Sequence, residues 1–326
     1  MKKIVFIIPA LVLAAVACNK TQTMVNETPR EISFQTMSPT KAAAADIVAG
    51  TLFPNNTWKI YVSASVKNDD ASVAQASLFE NTEFATADAP VVAASVFKAS
   101  PAQYYPLGSK KVDFIAYASN KGKDKPVAPT FLPTAVSDKM TFADWDTYTN
   151  QQDLLYANLN GCTTQPTAQA LEFHHAQAQI VIQAAKGVTS GDIKITKIEL
   201  LGLETVGTFE VDNSKQTLEV SWKNMTAGAD KEITNLFVAP DENKALTTEL
   251  TQMGDALLVP QQAAKNIKIS YKIGTDDRTW EYTFNNTRSA WMMNYKYIYQ
   301  FTMTANEITF TESVVDWTTN TIVPAL

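Results

Sequence analysis

Apolar and polar positions alternate with a period of two along most of this chain. Trp58, Ile60, Val62, Ala64 and Val66 alternate with Lys59, Tyr61, Ser63 and Ser65. That spacing puts every second side chain on one face of an extended strand. Val112, Phe114, Ile115 and Tyr117 mark a buried strand, and Ile267, Ile269, Tyr271 and Ile273 another. Gly274 to Asp277 turns the latter back into Trp280, Tyr282 and Phe284. Val206 to Val211 and Leu218 to Trp222 are joined through Asp212-Asn213-Ser214, a hairpin signal. Ala256 to Val259 is a short buried run stopped by Pro260, and Tyr295, Tyr297, Tyr299, Phe301 and Met303 give the strongest alternation of all. One stretch reads differently. Thr141 to Tyr156, with Phe142, Trp145, Tyr148 and Leu155, is expected to hold a short helix starting at Thr141 or Asp144.

The alternation changes phase at two places. Leu171 and Phe173 carry odd numbers, whereas Ala176, Ala178, Ile180 and Ile182 carry even ones. A strand cannot turn both sets to one face, so a β-bulge or a change of sheet is expected at His174-His175. Parity flips again between Val314 and Val315. Asn120 to Pro133, rich in Lys, Gly and Pro, reads as a surface loop, and the polar, turn-rich Gly161 to Ala170 as a domain boundary. The expectation is an all-β chain of two sandwich domains, residues 42–165 and 166–326, the second ending in an apolar strand within about 306–326.

The first forty-one residues are organised differently. Lys2 and Lys3 precede an apolar run, Ile4 to Val16, too short to span a bilayer, which needs ~20 apolar residues. The run ends in Ala15-Val16-Ala17-Cys18, which resembles a bacterial lipobox rather than an ordinary secretory cleavage site. Residues 1–17 then read as a signal peptide, and Cys18 as the acylated new N-terminus, with palmitate-type chains holding the precursor on the outer membrane. Residues 18–41 form a leader in which Ile32, Phe34 and Thr36 alternate with Glu31, Ser33 and Gln35 as a short strand. Arg30 and Lys41 bracket that strand, and Ala42-Ala43-Ala44-Ala45 follows. The strand is either a removable segment between two trypsin-like sites or the first strand of the fold.

Composition narrows the function classes. The chain has 326 residues, 45% hydrophobic, and a net charge of −6, which becomes −8 once Lys2 and Lys3 are removed. An acidic chain without basic clusters is a poor ligand for nucleic acid or an anionic membrane surface. With Cys18 acylated, Cys162 has no partner within the chain, so stability must come from sheet packing. The Asn160-Gly161-Cys162-Thr163 context reads as a turn with an inert loop cysteine.

Candidate chemistry is sparse. The two histidines are neighbours, so on a strand they point to opposite faces and cannot chelate one metal together. A Ser-His-Asp arrangement through either one is formally open. No glycine-rich phosphate loop occurs, and glycine is scarce at 11 residues. Asp144-Trp145-Asp146 and Asp276-Asp277 do not continue into a calcium loop. Trp58, Trp145, Trp222, Trp280, Trp291 and Trp317 lie mostly on strand patterns, where core packing outweighs a sugar platform. No catalytic residue, metal or cofactor is assigned.

The combination resembles the fimbrillin family, the type V pilins of Bacteroidales surface fimbriae. The lipobox at Cys18, the strand Ile32 to Thr36 before Thr40-Lys41-Ala42, and Leu171-Glu172-Phe173-His174-His175-Ala176 carry the resemblance. So do Leu258-Val259-Pro260-Gln261, Asn294-Tyr295-Lys296-Tyr297, Ile308-Thr309-Phe310 and Val315-Asp316-Trp317. The resemblance implies two transthyretin-like Greek-key β-sandwich domains. It implies a trypsin-like protease that cuts between Lys41 and Ala42 and removes the strand carrying Ile32, Phe34 and Thr36. A cut at Arg30 would leave that strand in place. It implies a donor strand, with Ile308, Phe310, Val314, Val315 and Trp317, that fills the opened groove of another copy or a related pilin. The implied role is structural and adhesive, in a fimbrium on the cell surface. The alternatives are an anchor or tip subunit of the same fimbria, and a surface glycan-binding lipoprotein.

Overall fold

The structure is a computed structural model. It describes residues 28–37, 59–67, 76–88, 95–108, 110–119, 138–147, 153–163, 167–188, 191–214, 217–227, 232–234, 245–253, 257–263, 266–284 and 290–316. All regular elements among them are strands. The first half contains β1 (Ser33–Met37), β2 (Lys59–Lys67), β3 (Ala76–Ala85), β4 (Phe97–Ala99), β5 (Lys111–Ser119), β6 (Lys139–Asp146) and β7 (Leu154–Cys162). β8 (Gln169–Glu172), β9 (His174–His175), β10 (Ala178–Lys186), β11 (Ile193–Leu201), β12 (Val206–Asp212), β13 (Glu219–Thr226) and β14 (Glu232–Thr234) follow. The chain continues through β15 (Thr251–Gln252), β16 (Leu257–Val259), β17 (Gln262–Ala263), β18 (Asn266–Ile273), β19 (Asp276–Tyr282), β20 (Ala290–Trp291), β21 (Tyr295–Met303) and β22 (Ile308–Asp316). The all-β sandwich class expected from the alternation is the one observed.

An eight-stranded sheet runs β8-β1-β4-β3-β2-β5-β7-β9. It does not lie flat. β4, β3 and β2 separate β1 from β5, which in a flat sheet would set them about 19 Å apart at ordinary strand spacing. Yet the rings of Phe34 and Phe114 are 5.1 Å apart. The sheet therefore curls over one core, in which Ile60, Val62, Phe84, Phe97, Leu155 and Leu171 are fully buried. Its outer face is apolar too, because Tyr61, Ile115 and Tyr117 are also buried. The three-stranded sheet β13-β12-β6 belongs to this second core, with Phe142, Trp145, Phe209 and Val211.

The expected helix is a strand, β6. Phe142 and Trp145 are three apart, yet both are buried and Ala143 and Asp144 are exposed. The reason is a register shift against β12, where Trp145 stands opposite Gly207 and Phe142 opposite Phe209. Asp144 takes a positive φ of 52°, and the extra residue returns both rings to the same side. A helical spacing is thus produced by a bulged strand.

The second sandwich pairs two further sheets across one core. One has the order β15-β10-β21-β22, with β16 also on β10, and the other β14-β11-β18-β19. Ile180, Ile182, Ile195, Ile267, Ile269, Tyr299 and Phe301 fill the space between them. Trp291 is fully buried there and donates its Nε1–H to the Tyr299 hydroxyl at 2.7 Å.

The phase change at the histidine pair is a change of sheet. β8 and β9 hydrogen-bond into the eight-stranded sheet, and β10 starts the next one. The sheets also cross the expected boundary at 165/166, since β8 and β9 complete the first sheet and β12 pairs with β6. At Val314 and Val315 the outcome is different. β22 pairs with β21 one-to-one from Ile308 to Asp316, without a shift. Val315 joins Val181 and Ile298 on the outer face, while Val314, opposite Tyr297, is exposed.

Cys162 corrects the expected loop cysteine. It is the buried last residue of β7, opposite Val112, and Gly161 beside it takes φ +68°. Gly161 donates its N–H to the Asp113 carboxylate at 2.7 Å. Burial, and then the nearby Asp113 charge, push the Cys162 thiol up to about 11. Only the thiolate is nucleophilic. Cys162 in the folded chain is therefore expected to resist alkylation by iodoacetamide at pH 8 and to react on unfolding in urea, read by mass spectrometry. Modification at equal rates in both states would place the thiol at the surface.

Candidate functional site: the groove filled by the leader strand

β1 lies inside the first sheet, with a neighbour on each side. Ile32 and Phe34 are fully buried and Thr36 nearly so, while Glu31, Ser33 and Gln35 are partly exposed. This is the face pattern that alternation predicts for a half-buried strand. On one side β1 runs antiparallel to β4, with Ser33 opposite Lys98 and Phe34 opposite Phe97. The pairing extends past β4, since Ile32 donates its N–H to the Gln103 carbonyl at 2.7 Å, and Tyr105 donates to the Arg30 carbonyl at 2.9 Å. On the other side β1 runs parallel to β8, from Phe34 opposite Gln169 to Met37 opposite Glu172. The other strand pairs of this sheet are antiparallel.

The socket is aromatic. The Phe34 ring meets Phe84 edge-on at 5.0 Å and Phe114 at 5.1 Å. Phe79 stands 5.8 Å from Phe84, and Tyr105 6.3 Å from Phe114. Phe97, Leu171 and Phe173 complete the same cluster. Burying Ile32 and Phe34 stabilises the sheet by roughly 1.5–3 kcal/mol each. Outside the socket, the Glu31 carboxylate is 2.7 Å from the Lys98 ammonium. If β1 left, β4 and β8 would both keep unpaired backbone groups, and the aromatic walls would face water. Such an opening is a template for another strand.

The other anticipated positions are distributed as follows. Cys18, Lys41, Ala42 and Trp317 lie outside the described residues. Arg30 is exposed, but its carbonyl is held by Tyr105 and the next residue, Glu31, bridges to Tyr104. The Arg30–Glu31 bond is therefore inside a paired segment, where a protease cannot take it up in extended form. Ile308, Phe310, Val314 and Val315 lie on β22, at the edge of a different sheet. Phe310 packs against Tyr282, Phe301 and Tyr299 at 4.5, 5.1 and 5.6 Å. Within one chain the leader strand and the donor candidates thus lie in different sheets.

The groups weighed for other chemistry are built into the packing. His175 is buried, and its Nδ1 lies 2.8 Å from the Asp153 carboxylate. His174 stacks on Tyr156 at 5.5 Å, and burial lowers its pKa. The two rings point to opposite sides of β9. Among the described residues no group of three His, Cys, Asp or Glu is placed to hold a metal ion. Trp145 and Trp291 are buried, and Trp222 and Trp280 pack against the cores.

Alternation alone located β1 but missed its socket. Phe84 and Phe97 are isolated aromatics in Ala- and Ser-containing stretches, Tyr105 sits in a Tyr104-Tyr105-Pro106 turn signal, and only strand pairing gathers them. The parallel neighbour β8 was also out of reach, because nothing local ties residues 34–37 to 169–172.

The fold and this groove define a class: an all-β protein of two sandwiches, the first of which is completed by the short interior strand β1. A family model described as fimbrillin-like matches residues 40–317, which starts after β1. The chain belongs to the fimbrillin-like family. Its structure is similar to that of a fimbrial protein from Bacteroides vulgatus, with 16% identity, a TM-score of 0.60, and coverage of 88% of this chain and 99% of that one. It is also similar to a protein assigned to cell adhesion from Bacteroides uniformis, with 18% identity, a TM-score of 0.54, and 88% and 98% coverage. No curated protein matches the sequence.

Proposed function

We propose that this chain is a structural, non-catalytic subunit of a cell-surface fimbria that assembles by strand exchange. It is made as an outer-membrane lipoprotein precursor acylated at Cys18. A trypsin-like protease cuts between Lys41 and Ala42 and removes β1. A strand from the C-terminal end of another copy, or of a related pilin, then fills the groove. Membership of the fimbrillin-like family supports the fimbrial role.

The observation that carries the mechanism is the position of β1. It is short and interior to the sheet, and it holds its place through two ladders and two large, fully buried apolar side chains. Its loss would open a groove without dismantling any other strand pair. The paired state of the Arg30–Glu31 bond favours Lys41 as the productive site, because a cut at Arg30 leaves β1 in place.

N-terminal sequencing of the protein from sheared cell-surface material tests this reading. The expected start is Ala42. A blocked terminus at Cys18 would mean that β1 stays, and would turn the assignment to a membrane-anchored subunit.

A further inference from the structure

The strand that fills the groove has a near copy elsewhere in the chain. Glu31-Ile32-Ser33-Phe34 and Glu307-Ile308-Thr309-Phe310 differ only in serine against threonine. In both, the isoleucine and the phenylalanine face one core. Their surroundings differ. Ile32 and Phe34 are fully buried; Phe34 stands between Phe97 of β4 and Gln169 of β8, and Ile32 donates its N–H to the Gln103 carbonyl. Ile308 and Phe310 are only partly buried, on a strand whose sole ladder among the described residues is with β21.

We propose that Glu307–Phe310 of a second copy of this chain enters the groove in the register of Glu31–Phe34. The inference rests on the strand-exchange reading and adds to it a donor segment, a register and a direction. Ile308 takes the Ile32 site, and Phe310 enters the ring socket between Phe84 and Phe114. Thr309 stands opposite Lys98, where Ser33 stands now. Glu307, exposed at home, comes within reach of the Lys98 ammonium that Glu31 now holds. The donor runs parallel to β8 and antiparallel to β4.

Burial favours this direction of exchange. In its own sandwich the segment has one ladder and half-buried anchors, whereas in the groove both anchors are fully buried, the β4 side supplies one ladder, and Phe310 takes the Phe34 position at which the β8 ladder begins. The apolar contribution scales with the area removed from water, so the groove is the stronger site. The move also draws Phe310 away from Tyr282, Tyr299 and Phe301, which opposes it. The match stops at four residues. Glu312 falls in the place of Thr36, which is 5% exposed, and a carboxylate there would be desolvated.

A second register is available for comparison. Val315-Asp316-Trp317-Thr318-Thr319 repeats the β-branched, aromatic and threonine order of Ile32, Phe34 and Thr36, with an indole in place of the phenyl ring. It would put Asp316, not Thr309, opposite Lys98.

Cysteine pairing between full-length chains separates the possibilities. Thr309 and Lys98 are both exposed, so Thr309→Cys and Lys98→Cys leave the cores intact. The two variants, on chains of different tag size, are mixed, treated with a trypsin-like protease and mildly oxidised. Products are read on non-reducing gels and by peptide mass spectrometry. The expected product is a disulfide that joins the Thr309→Cys chain to the Lys98→Cys chain through the two introduced thiols, absent without protease. If Asp316→Cys pairs with Lys98→Cys and Thr309→Cys does not, the register is overturned and strand exchange stands. Filaments without either cross-link also overturn the donor assignment alone. Absence of any polymer after loss of the leader overturns the strand-exchange reading itself.

Discussion

Phe34→Ala in the full-length chain is expected to lower the unfolding free energy by about 3–5 kcal/mol. Phe34 has no exposed surface, and its ring is flanked at 5.0 and 5.1 Å by Phe84 and Phe114. Truncation removes the transfer energy of a whole phenyl group. It also leaves a cavity, because β4 and β8 hold β1 from both sides and restrict how far the site can close. Urea denaturation reads the effect as a lower midpoint at unchanged slope. The same substitution has no effect on chains that begin at Ala42, since the residue is then absent. A loss below about 1 kcal/mol in the full-length chain would be the size of a minor packing change and would mean that β1 is not the anchor described.

Lys41→Ala is expected to abolish polymer formation while leaving the monomer as stable as the parent. A strand tethered in its own groove competes at about millimolar effective concentration, against micromolar concentrations of a donor on another molecule. That ratio is worth roughly 4 kcal/mol in favour of the leader. Donor anchors resembling Ile32 and Phe34 offer no intrinsic advantage to offset it, so the donor prevails only after the tether is cut. Cutting at Arg30 does not help, because the strand stays on the chain. Size-exclusion chromatography and electron microscopy after protease treatment provide the readout. Polymer from the Lys41→Ala chain at the parent level would sink the activation step.

Several strands were legible directly, and for a simple reason. Along Asn266–Ile273 the buried positions are the apolar members of a period-two pattern, as are Tyr297, Tyr299, Phe301 and Met303 on the next strong strand, so local sequence and local environment agree there. The phase change at His174-His175 was also legible, since no single strand could accommodate it, and it marks the passage from the first sheet to the next. The leader strand itself was visible as Ile32, Phe34 and Thr36 between polar residues.

Other features depended on partners distant in sequence. Phe142 and Trp145 mimic helical spacing because a bulge against β12 adds a residue between them, and that bulge exists only once β6 and β12 pair. Cys162 looks like a turn residue but is carried into the core by pairing with Val112. The same phase change that means a new sheet at the histidines means only a two-faced edge strand at Val314 and Val315.

The sequence by itself determined that the chain is built of strands, that Ile32, Phe34 and Thr36 mark one of them near its start, and where its face pattern breaks. A period-two pattern records which side of a strand meets a core, and that is a local property. Only the tertiary structure decided that the leader strand sits between β4 and β8 in an aromatic socket, while its near copy rests half-buried at a sheet edge. Which strands pair is settled by contacts between segments far apart in the chain, and no local pattern encodes them.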